Sequence, residues 1–436
     1  MHTSLLAEAT VSTGFLVIAY GAIALVALII FVQLFGPGLR YRISTPGSES
    51  NDSDEFVHIL ESLTDAKVHR GTSLTVLTNG DSFYEEELRA IAQAQSNVNM
   101  EAYIFQKGEI ADRYLAALTE RAKAKVQVNL VLDALGSAGM RDKYFTRLKD
   151  AGGKVVWYNN ARWNKLPQYN HRTHRELLIV DGRYGFIGKA GVADHWYKGK
   201  DKNPRWRDTM VRVEGKAVAN LQATFAENWL ESCGEVLAGA EYFPALRPDG
   251  PEGLALVVNS TPSTGGSTRA RILFQMLLAS AQKWIHITTP YFLPDTSMTE
   301  ELVRAMQQRG VEVTLIVPGV RSDHLLTRSS SRRAYGKLLK AGAAIYEYEP
   351  AMIHTKTLMI DGLWGVVGST NFDNRSFGLN DEVNLAVRAP NFVERLEQDF
   401  ARDLAQSKRV TYEDWRRRPV LQRAPELLGW VLQREQ

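Results

Sequence analysis

The apolar and polar residues of the chain follow two series of helix-like and strand-like segments. The first series comprises, in order, helix 83–91, strand 98–105, helix 111–123 and strand 126–132. The second series repeats that order with helix 271–281, strand 284–289, helix 299–308 and strand 311–317. Because helices and strands of this length alternate, each half is predicted to be an α/β unit around a parallel or mixed sheet. The repetition of a whole series indicates an internal duplication of a domain.

An uncharged apolar run covers Phe15–Phe35, near the start of the chain. At about 1.5 Å per helical residue, the run is long enough to cross a bilayer core of about 30 Å. It is longer than the apolar core of a typical signal peptide and follows no basic residue, which favours a retained anchor over a cleaved signal. Arg40 and Arg42 come after it. We therefore expect residues 1–42 to anchor the chain in a membrane, with the large C-terminal part in the cytoplasm.

Composition divides the remainder of the chain. Residues 43–70 include an acidic stretch rich in Ser, Asp, Glu, Pro and Gly, and we expect a linker there. Loops at 249–253 and 261–267, rich in Gly, Pro and Ser, separate the two series. These boundaries predict a first domain over 71–248 and a second over 249–436, the latter ending in a basic segment.

The overall composition narrows the classes of function. The chain has 436 residues, 44% of them hydrophobic, and a formal net charge of +3. This near balance lacks the basic footprint typical of nucleic-acid-binding proteins, so no nucleic-acid partner is expected. Cys233 is the single cysteine, which excludes an intrachain disulfide framework and a cysteine-based metal cluster.

The clearest candidate chemistry lies in the second half, where His354 and Lys356 are two residues apart. On a strand they share one face, and an imidazole beside an ammonium suits a phosphoryl group, because one can attack or protonate while the other holds oxygens. Asp361 follows, and Ser369 and Asn371 come after an apolar run, where a turn can aim a hydroxyl and an amide at the same phosphate. An isolated His-x-Lys is more often structural, but the longer pattern is more specific.

The first half carries a related but altered pattern. His174 and Asp181 repeat the spacing of the second-half histidine and aspartate, whereas Glu176 occupies the lysine position. Lys189 and Gly191 stand where the second half has its serine and asparagine. A carboxylate facing a phosphate diester is repelled where a lysine is attracted, so this half departs from the expected chemistry.

The spacing His-x-Lys-x4-Asp followed by Gly-Ser-x-Asn resembles the signature of the phospholipase D superfamily. The resemblance covers nearly everything after the predicted linker, and it implies two duplicated phospholipase D-like α/β/α sandwich domains with mixed sheets, packed face to face. Both histidines would meet at one pocket and would need no metal or other cofactor. His174 is expected to attack phosphorus, forming a phosphohistidine, and His354 to act as acid and base, although the reverse assignment stays open.

The resemblance also implies supporting roles. The family places an acidic residue downstream of each motif, which makes Asp208 in the first half and Glu382 in the second the expected carboxylate partners of the imidazoles. Asp181 and Asp361 belong to the catalytic signature and are expected mainly to hold turns and strand ends. The phosphate-binding side chains implied by the likeness are Lys356, Ser369, Asn371 and Lys189.

Within the superfamily, the chain resembles the bacterial cardiolipin synthases in particular. The stretches that carry this likeness are 170–174, 206–209, 290–292, 374–377, 380–384 and 415–419. The implied activity is that of an inner-membrane phosphatidyltransferase that joins two phosphatidylglycerol molecules into cardiolipin and releases glycerol. Its partners would be phospholipid substrates and the membrane, and the oligomeric state stays open. Arg416–Arg418 beside Trp415 are expected either to face anionic headgroups or to form a solvated helix end.

The same residues are compatible with two other functions. With water as the acceptor, the chain would be a phospholipase D-type phosphodiesterase that hydrolyses lipids or nucleic acids. A chain weakened by Glu176 would instead be a lipid-binding homologue. Three interpretations of Glu176 remain: it impairs the enzyme, Lys189 compensates for it, or it serves as an extra base. Because buried charges are normally paired, we favour compensation by Lys189.

Overall fold

The computed structural model describes residues 14–26, 28, 40–44, 50–159, 171–199, 203–246, 253–262, 268–323 and 325–419. Within these ranges the chain forms two β-sheets with helices packed on their faces. The seven-stranded sheet belongs to the first half, and the nine-stranded sheet belongs mainly to the second. The expected α/β fold with a mixed sheet in each half is confirmed.

The elements follow one another in the order that the two repeated series predict. From the N-terminus to the end of the first half they are α1 (14–26), α2 (Asp54–Thr64), β1 (Val68–Arg70), β2 (Ser73–Thr78), α3 (Gly80–Gln93), β3 (Asn97–Ala102), α4 (Glu109–Lys123), β4 (Gln127–Asp133), a 3₁₀ helix (Asp142–Phe145), α5 (Thr146–Asp150), β5 (Lys154–Tyr158), β6 (Glu176–Val180), β7 (Tyr184–Gly188), α6 (Asp194–Tyr197), β8 (Thr209–Glu214) and α7 (Val218–Cys233). The second half contains β9 (Leu254–Ser260), α8 (Arg269–Ser280), β10 (Trp284–Thr288), α9 (Thr296–Arg309), β11 (Glu312–Pro318), α10 (Leu325–Ala341), β12 (Ala344–Tyr348), β13 (Thr357–Ile360), β14 (Trp364–Gly368), α11 (Asn374–Gly378), β15 (Glu382–Arg388), α12 (Pro390–Ala405), β16 (Ser407–Val410) and α13 (Tyr412–Arg417).

Each sheet combines a parallel part with an antiparallel part. The first sheet has the order β2-β8-β7-β6-β3-β4-β5, and the second has the order β1-β9-β15-β14-β13-β10-β11-β12-β16. Strands β3, β4 and β5 are parallel because helical connections return the chain to the same end of the sheet, and β10, β11 and β12 repeat this arrangement. The C-terminal ends of the parallel strands therefore lie together at one edge of each sheet, where loops can carry function.

The two sheets face one another across a shared apolar core. Ile179 and Ile187 of the first sheet lie in the same buried cluster as Met359 and Val367 of the second. Helices α7 and α12 border this cluster. The outer faces of the sheets are covered by α3, α4 and α6 on one side and by α2, α8, α9 and α10 on the other. Because the halves share a core, the position of one sheet fixes that of the other.

The segment expected to be a linker, residues 43–70, is structured in its described part from residue 50. Helix α2 buries Phe56, Val57 and Leu60 against the second half, and β1 pairs with β9 in antiparallel fashion. Asn51 is buried as well, and its carbonyl oxygen accepts a hydrogen bond from the indole nitrogen of Trp364 at 2.7 Å. This part of the segment therefore belongs to the second sheet. Its polar composition hides three apolar residues at helical spacing.

The predicted membrane anchor falls only partly within the described residues. Residues 14–26 are helical, and much of the rest of the apolar run to residue 35 lies outside the description. Among the described residues, no helix combines the length and the apolar character that crossing a bilayer requires.

Trp415, expected near a membrane-facing basic segment, is used inside the fold. Its indole nitrogen donates a hydrogen bond to the carbonyl oxygen of Arg332 at 2.6 Å, on helix α10. The ring lies so close to Gly336 that a Cβ there would come within 2.3 Å of it. The Arg418 guanidinium covers the ring at 4.1 Å from its centre. This tryptophan therefore packs helix α13 against α10.

Asp181 and Asp361 occupy equivalent turns at the ends of β6 and β13 that are remote from the histidines. Both have left-handed backbone conformations, with φ of 53° and 56°. The Asp361 carboxylate accepts hydrogen bonds from the backbone N–H groups of Gln282, Lys283 and Trp284, each at 2.8 Å. Asp181 holds residues 95–97 in the same way. The two signature aspartates therefore fix the start of β10 and β3 and lie outside the site.

We expect the substitution Asp361→Asn to lower the free energy of unfolding by about 1–3 kcal/mol, because charge-assisted hydrogen bonds to backbone N–H groups become weaker neutral ones. Asparagine tolerates the left-handed conformation, so backbone strain does not enter the comparison. Denaturant unfolding followed by circular dichroism measures the change. Asp54→Asn, at an exposed carboxylate, is the control. Equal stability of the two variants would contradict the turn-holding role.

Candidate active site

The two histidines lie where the halves exchange main-chain hydrogen bonds. The N–H of His174 donates to the carbonyl oxygen of Asp381 at 2.9 Å, and the N–H of Asp381 donates to the carbonyl oxygen of Arg172 at the same distance. From the second half to the first, the N–H of His354 donates to the carbonyl oxygen of Arg207 at 2.7 Å. Short parallel bridges therefore tie each histidine to a segment of the opposite half.

The side chains of the two histidines also contact the opposite half. The Nδ1 atom of His174 lies 3.1 Å from a carboxylate oxygen of Glu382, and Nδ1 of His354 lies 2.9 Å from Asp208. Each imidazole is therefore paired with the carboxylate of the other half, whereas the sequence pattern suggested partners within the same half. The reason is topological, because the bridges align each histidine with the run that precedes the opposite acid.

Both carboxylates are fully buried and supplied with donors. Asp208 accepts a hydrogen bond from the indole nitrogen of Trp196 at 3.0 Å and from the N–H of Thr209 at 2.8 Å. Burial alone raises the pKa of Asp208, but the hydrogen bond and charge of His354 lower this pKa below its usual value. Glu382 accepts a hydrogen bond from the Ser369 hydroxyl, and burial raises its pKa to about 7.

Burial keeps the two imidazoles neutral in the free protein. It lowers the pKa of His354 to about 4, with a further contribution from the nearby Lys356 ammonium. Burial and the Lys189 ammonium lower the pKa of His174 well below its ordinary value. Nδ1 of each ring lies against a carboxylate, and Nδ1 of His174 also lies 2.9 Å from the amide nitrogen of Asn380. Nε2 of His174 lies 3.4 Å from the same amide nitrogen, and Nε2 of His354 lies 3.5 Å from the Lys356 ammonium.

Two lysines make the same contact in the two halves. The Lys356 ammonium donates a hydrogen bond to the carbonyl oxygen of His354 at 2.9 Å. The Lys189 ammonium donates to the carbonyl oxygen of His174 at 2.7 Å. Lys356 comes from the motif itself, whereas Lys189 reaches the equivalent place from the residue after β7. Both ammonium groups are buried, which lowers the pKa of each and brings that of Lys356 to about 7.

Glu176, the departure from the motif, is turned toward the backbone. Its carboxyl oxygen accepts hydrogen bonds from the N–H groups of Tyr103 at 3.0 Å and Ile104 at 3.3 Å. Gly191 packs against this contact without a side chain. A Cβ there would lie 2.5 Å from the carbonyl oxygen of Ile104 and 3.2 Å from the Glu176 carboxyl oxygen. Burial raises the pKa of Glu176 to about 8, despite the opposing effect of Lys189. At neutral pH the group is therefore largely a neutral acid.

The remaining predicted phosphate ligands differ in what they contact. Ser369 is tied to Glu382 and accepts a hydrogen bond from the N–H of Val383 at 3.0 Å. The Asn371 amide nitrogen lies 3.4 Å from the Ser376 hydroxyl, while its carbonyl oxygen is buried without a partner among the described residues. Asn371 therefore keeps an unused acceptor, whereas Ser369 mainly orients the carboxylate that serves His174.

Three aromatic side chains lie beside the histidines, and of these only Trp206 belongs to a stretch that carries the resemblance (206–209). The ring of Tyr103 lies 4.6 Å from that of His174, and Lys189 covers the same tyrosine at 4.8 Å. Trp196 and Trp206 lie 5.3 Å and 5.5 Å from the ring of His354. In the sequence, Tyr103 directly follows β3 and Trp206 comes two residues before Asp208, which are the features that could have indicated them. No cluster of three or more potential metal ligands occurs among the described residues.

Comparisons with known proteins agree with this geometry. A family model described as "Cardiolipin synthase, PLD-like domain" matches residues 88–229 and 274–404. Cardiolipin synthase 1 of Bacillus cereus is 34% identical over 364 residues, which cover 81% of this chain and 71% of that protein. The major cardiolipin synthase ClsA of Bacillus subtilis is 31% identical over 384 residues, covering 87% and 79%.

A solved structure shares the fold at low sequence identity. The phosphatidylserine synthase of Haemophilus influenzae superposes with a TM-score of 0.69 at 13% identity, covering 88% of this chain and all of that one. At this identity the likeness speaks for the fold alone.

The protonated state of Glu176 has a consequence for stability. Burial raises its folded-state pKa from about 4.5 to about 8, so the folded chain holds this proton more tightly than the unfolded chain. The stabilisation is complete below about pH 4.5 and is lost as the pH rises toward 8. We expect Glu176→Gln, which has no proton to lose, to gain stability relative to the unmodified chain over this range, by at most about 1.4 kcal/mol per pH unit.

Denaturant unfolding at a series of pH values checks this expectation, with Glu55→Gln at an exposed carboxylate as the control. A stability difference between the unmodified chain and Glu176→Gln that does not change with pH would show that Glu176 is ionised in the folded protein.

Proposed function

Because the chain belongs to the cardiolipin synthases of the phospholipase D superfamily, we propose that His174 and His354 together transfer a phosphatidyl group between two phosphatidylglycerol molecules. The protein is a phosphatidyltransferase that makes cardiolipin and releases glycerol. The observation that carries the assignment of roles is the crossed pairing of two buried imidazoles with two buried carboxylates. Such pairing holds one nitrogen of each ring and directs the other at a common phosphate.

In the first step, Nε2 of His174 attacks phosphorus. The new N–P bond forms as the bond from phosphorus to the glycerol headgroup oxygen breaks, and Nε2–H of His354 gives that oxygen its proton. Glu382 stabilises the charge that develops on His174. Because His354 is neutral in the free protein, it must gain its proton when the anionic substrate binds and raises its pKa.

In the second step, a hydroxyl of another phosphatidylglycerol attacks the phosphohistidine. Nε2 of His354 removes the hydroxyl proton, the new P–O bond forms, and the N–P bond to His174 breaks. When cardiolipin leaves, His354 releases this proton to solvent and the enzyme returns to its starting state. Two steps of this kind replace one difficult displacement, and acid–base help of this sort contributes about 10²–10⁴-fold in rate.

The two lysines are proposed to hold the non-bridging phosphate oxygens. Lys189 and Lys356 approach the histidine carbonyls from corresponding positions, so the phosphate would meet one ammonium from each half. Lys189 thereby replaces the lysine that Glu176 displaces from the motif. Asn371, whose carbonyl oxygen has no partner among the described residues, is placed to accept a hydrogen bond from a headgroup hydroxyl.

The membrane location is part of the same proposal. The uncharged run Phe15–Phe35 would anchor the chain in the inner membrane, and Arg40 and Arg42 would hold the two halves on the cytoplasmic side. Phospholipid substrates would then be drawn from the bilayer that carries the enzyme.

The roles of the histidines can be separated with a phosphatidyl ester of p-nitrophenol, whose leaving group needs no proton. We expect His354→Gln to release one equivalent of nitrophenol in a burst and then to stall as a phosphatidyl-enzyme, because no base activates the acceptor. His174→Gln should give no burst, because it lacks the nucleophile. Stopped-flow absorbance and intact-protein mass spectrometry measure both outcomes.

With labelled phosphatidylglycerol, the unmodified enzyme should give cardiolipin and glycerol in equal amounts. A burst in His174→Gln but not in His354→Gln would reverse the assignment. Phosphatidic acid as the only lipid product would make the chain a hydrolase.

The compensating role of Lys189 leads to a second prediction. We expect Lys189→Ala to lower kcat about 10²–10³-fold, as does loss of other groups that stabilise developing charge. The double substitution Glu176→Lys with Lys189→Ser, which copies the second half, should recover part of that loss. Lys154→Ala, at an exposed lysine paired with Glu235, is the control. Unchanged activity of Lys189→Ala together with a rise in Glu176→Lys would refute compensation.

A further inference from the structure

We propose that two equivalent loops beside the pocket dock the enzyme on an anionic lipid bilayer. The rim loops are residues 134–141, which follow β4, and residues 319–323, which follow β11. Each presents one exposed apolar side chain, Leu135 or Val320, and one exposed arginine. The proposal deepens the proposed function, since it names the surface through which a lipid would reach the histidines, and its lipid partner rests on that function.

Strand register shows that the two apolar side chains are structurally equivalent. Asn97, at the start of β3, pairs with Gln127 of β4, and Trp284, at the start of β10, pairs with Glu312 of β11. The starts of β3 and β10 are the positions held by the two signature aspartates. Counting along β4 and β11 from these pairs, Leu135 and Val320 both come two residues after the last strand residue.

Packing among the described residues does not explain why both positions are apolar. The side chain of Leu135 is 50% exposed and that of Val320 is 73% exposed. The loop sequences around them otherwise differ, with Ala-Leu-Gly-Ser in one and Gly-Val-Arg-Ser in the other. Single exposed apolar residues are common on protein surfaces, but these two recur at the same position of both halves, at the corresponding edge of each sheet, which is consistent with a partner surface.

Both loops are held firmly to the pocket. The Asp133 carboxylate accepts hydrogen bonds from the N–H groups of Leu135 and Gly136, at 2.9 Å and 3.0 Å, and from Thr173 beside His174 at 3.2 Å. In the second half, Asp323 accepts a hydrogen bond from the Tyr291 hydroxyl at 2.5 Å. The negative charge of Asp323 also favours a higher pKa of His354, against the larger lowering by burial. The apolar tips thus flank the pocket on anchored backbone.

The charges of the rim loops favour an anionic surface over a neutral one. Arg141 and Arg321 are exposed, one in each loop. The neighbouring carboxylates are engaged, since Asp142 accepts a hydrogen bond from the Trp157 indole at 3.0 Å and Asp323 holds Tyr291. Leu135 and Val320, on loops that each also carry an exposed arginine, match the interface of a bilayer rich in phosphatidylglycerol.

The first experiment locates the loops relative to the bilayer without relying on activity. In the full chain with Cys233→Ser, a single cysteine is introduced by Leu135→Cys, Val320→Cys or, as the control, Val236→Cys. Val236 is 69% exposed and follows Glu235, which pairs with Lys154 at the opposite end of β5 from the pocket. Each cysteine carries an environment-sensitive nitrobenzoxadiazole probe, and the chain is reconstituted into phosphatidylglycerol vesicles.

We expect the probes at 135 and 320 to shift to shorter emission wavelength and to be quenched by lipids that carry a spin label in the acyl chain. The probe at 236 should keep the emission of a water-exposed dye. Absence of quenching at 135 and 320 would overturn the proposal. A shift to shorter wavelength in the vesicles without quenching by the spin-labelled lipids would assign the surface to a protein contact, such as a second copy, and would equally overturn it.

The second experiment separates docking from chemistry. We expect Leu135→Asp combined with Val320→Asp to lower the transfer rate on phosphatidylglycerol vesicles about tenfold or more, because two apolar contacts with the interface are lost. The rate on a short-chain, monomeric phosphatidylglycerol should stay within about twofold of the unmodified enzyme, since the pocket is intact. Val236→Asp should change neither rate.

Equal losses on vesicles and on the monomeric lipid would show that the rim loops serve the pocket or the fold, against the proposal. Failure of the unmodified enzyme to use either lipid would refute the proposed function, while the probe measurements would still decide whether the loops meet the bilayer.

Discussion

The structure depends on two histidine–carboxylate pairs that cross the boundary between the halves. In each pair the histidine comes from one half and the carboxylate from the other. Each buried acid, Asp208 or Glu382, finds its imidazole in the other half, and the backbone bridges beside them run in the same crossed sense. Separating the halves would remove each carboxylate from its imidazole and break the backbone bridges beside the pair. Catalytic geometry and the packing of the two sheets are therefore one constraint, because separating the halves would dismantle both histidine pairs.

The duplication that creates this exchange does not require identical halves. A phosphate needs positive charge at its oxygens, but not from a particular place in the sequence. In the proposed roles Lys356 supplies this charge from the motif and Lys189 supplies it from the turn after β7, and each ammonium donates a hydrogen bond to a histidine carbonyl oxygen. At the motif position of the first half, the Glu176 carboxyl oxygen accepts hydrogen bonds from the N–H groups of Tyr103 and Ile104, and burial raises its pKa to about 8.

The sequence predicts the elements better than their partners. All eight segments of the two repeated series have the expected secondary structure, because helical and strand periodicities are local properties. The crossed pairing could not be read from the chain, since spacing along a sequence does not say which half a carboxylate will face. The helix α2 was missed for a related reason: its composition resembles a linker, and only contact with the second half reveals the use of Phe56, Val57 and Leu60. Lys189 stands out in the sequence because it occupies the position where the second half has Ser369.

Burial of the histidines bears on the choice between transfer and hydrolysis. The side chain of His174 is only 12% exposed and that of His354 only 6%, so bulk water has little access to either ring. Burial lowers the pKa of His354 to about 4, so in the proposed mechanism an anionic substrate that raises this pKa would couple protonation of His354 to binding. With the lysines and Asn371 in their proposed roles, a lipid headgroup gains binding energy at this site that a water molecule does not. Those roles therefore favour a lipid alcohol over water as the acceptor, in keeping with a transferase.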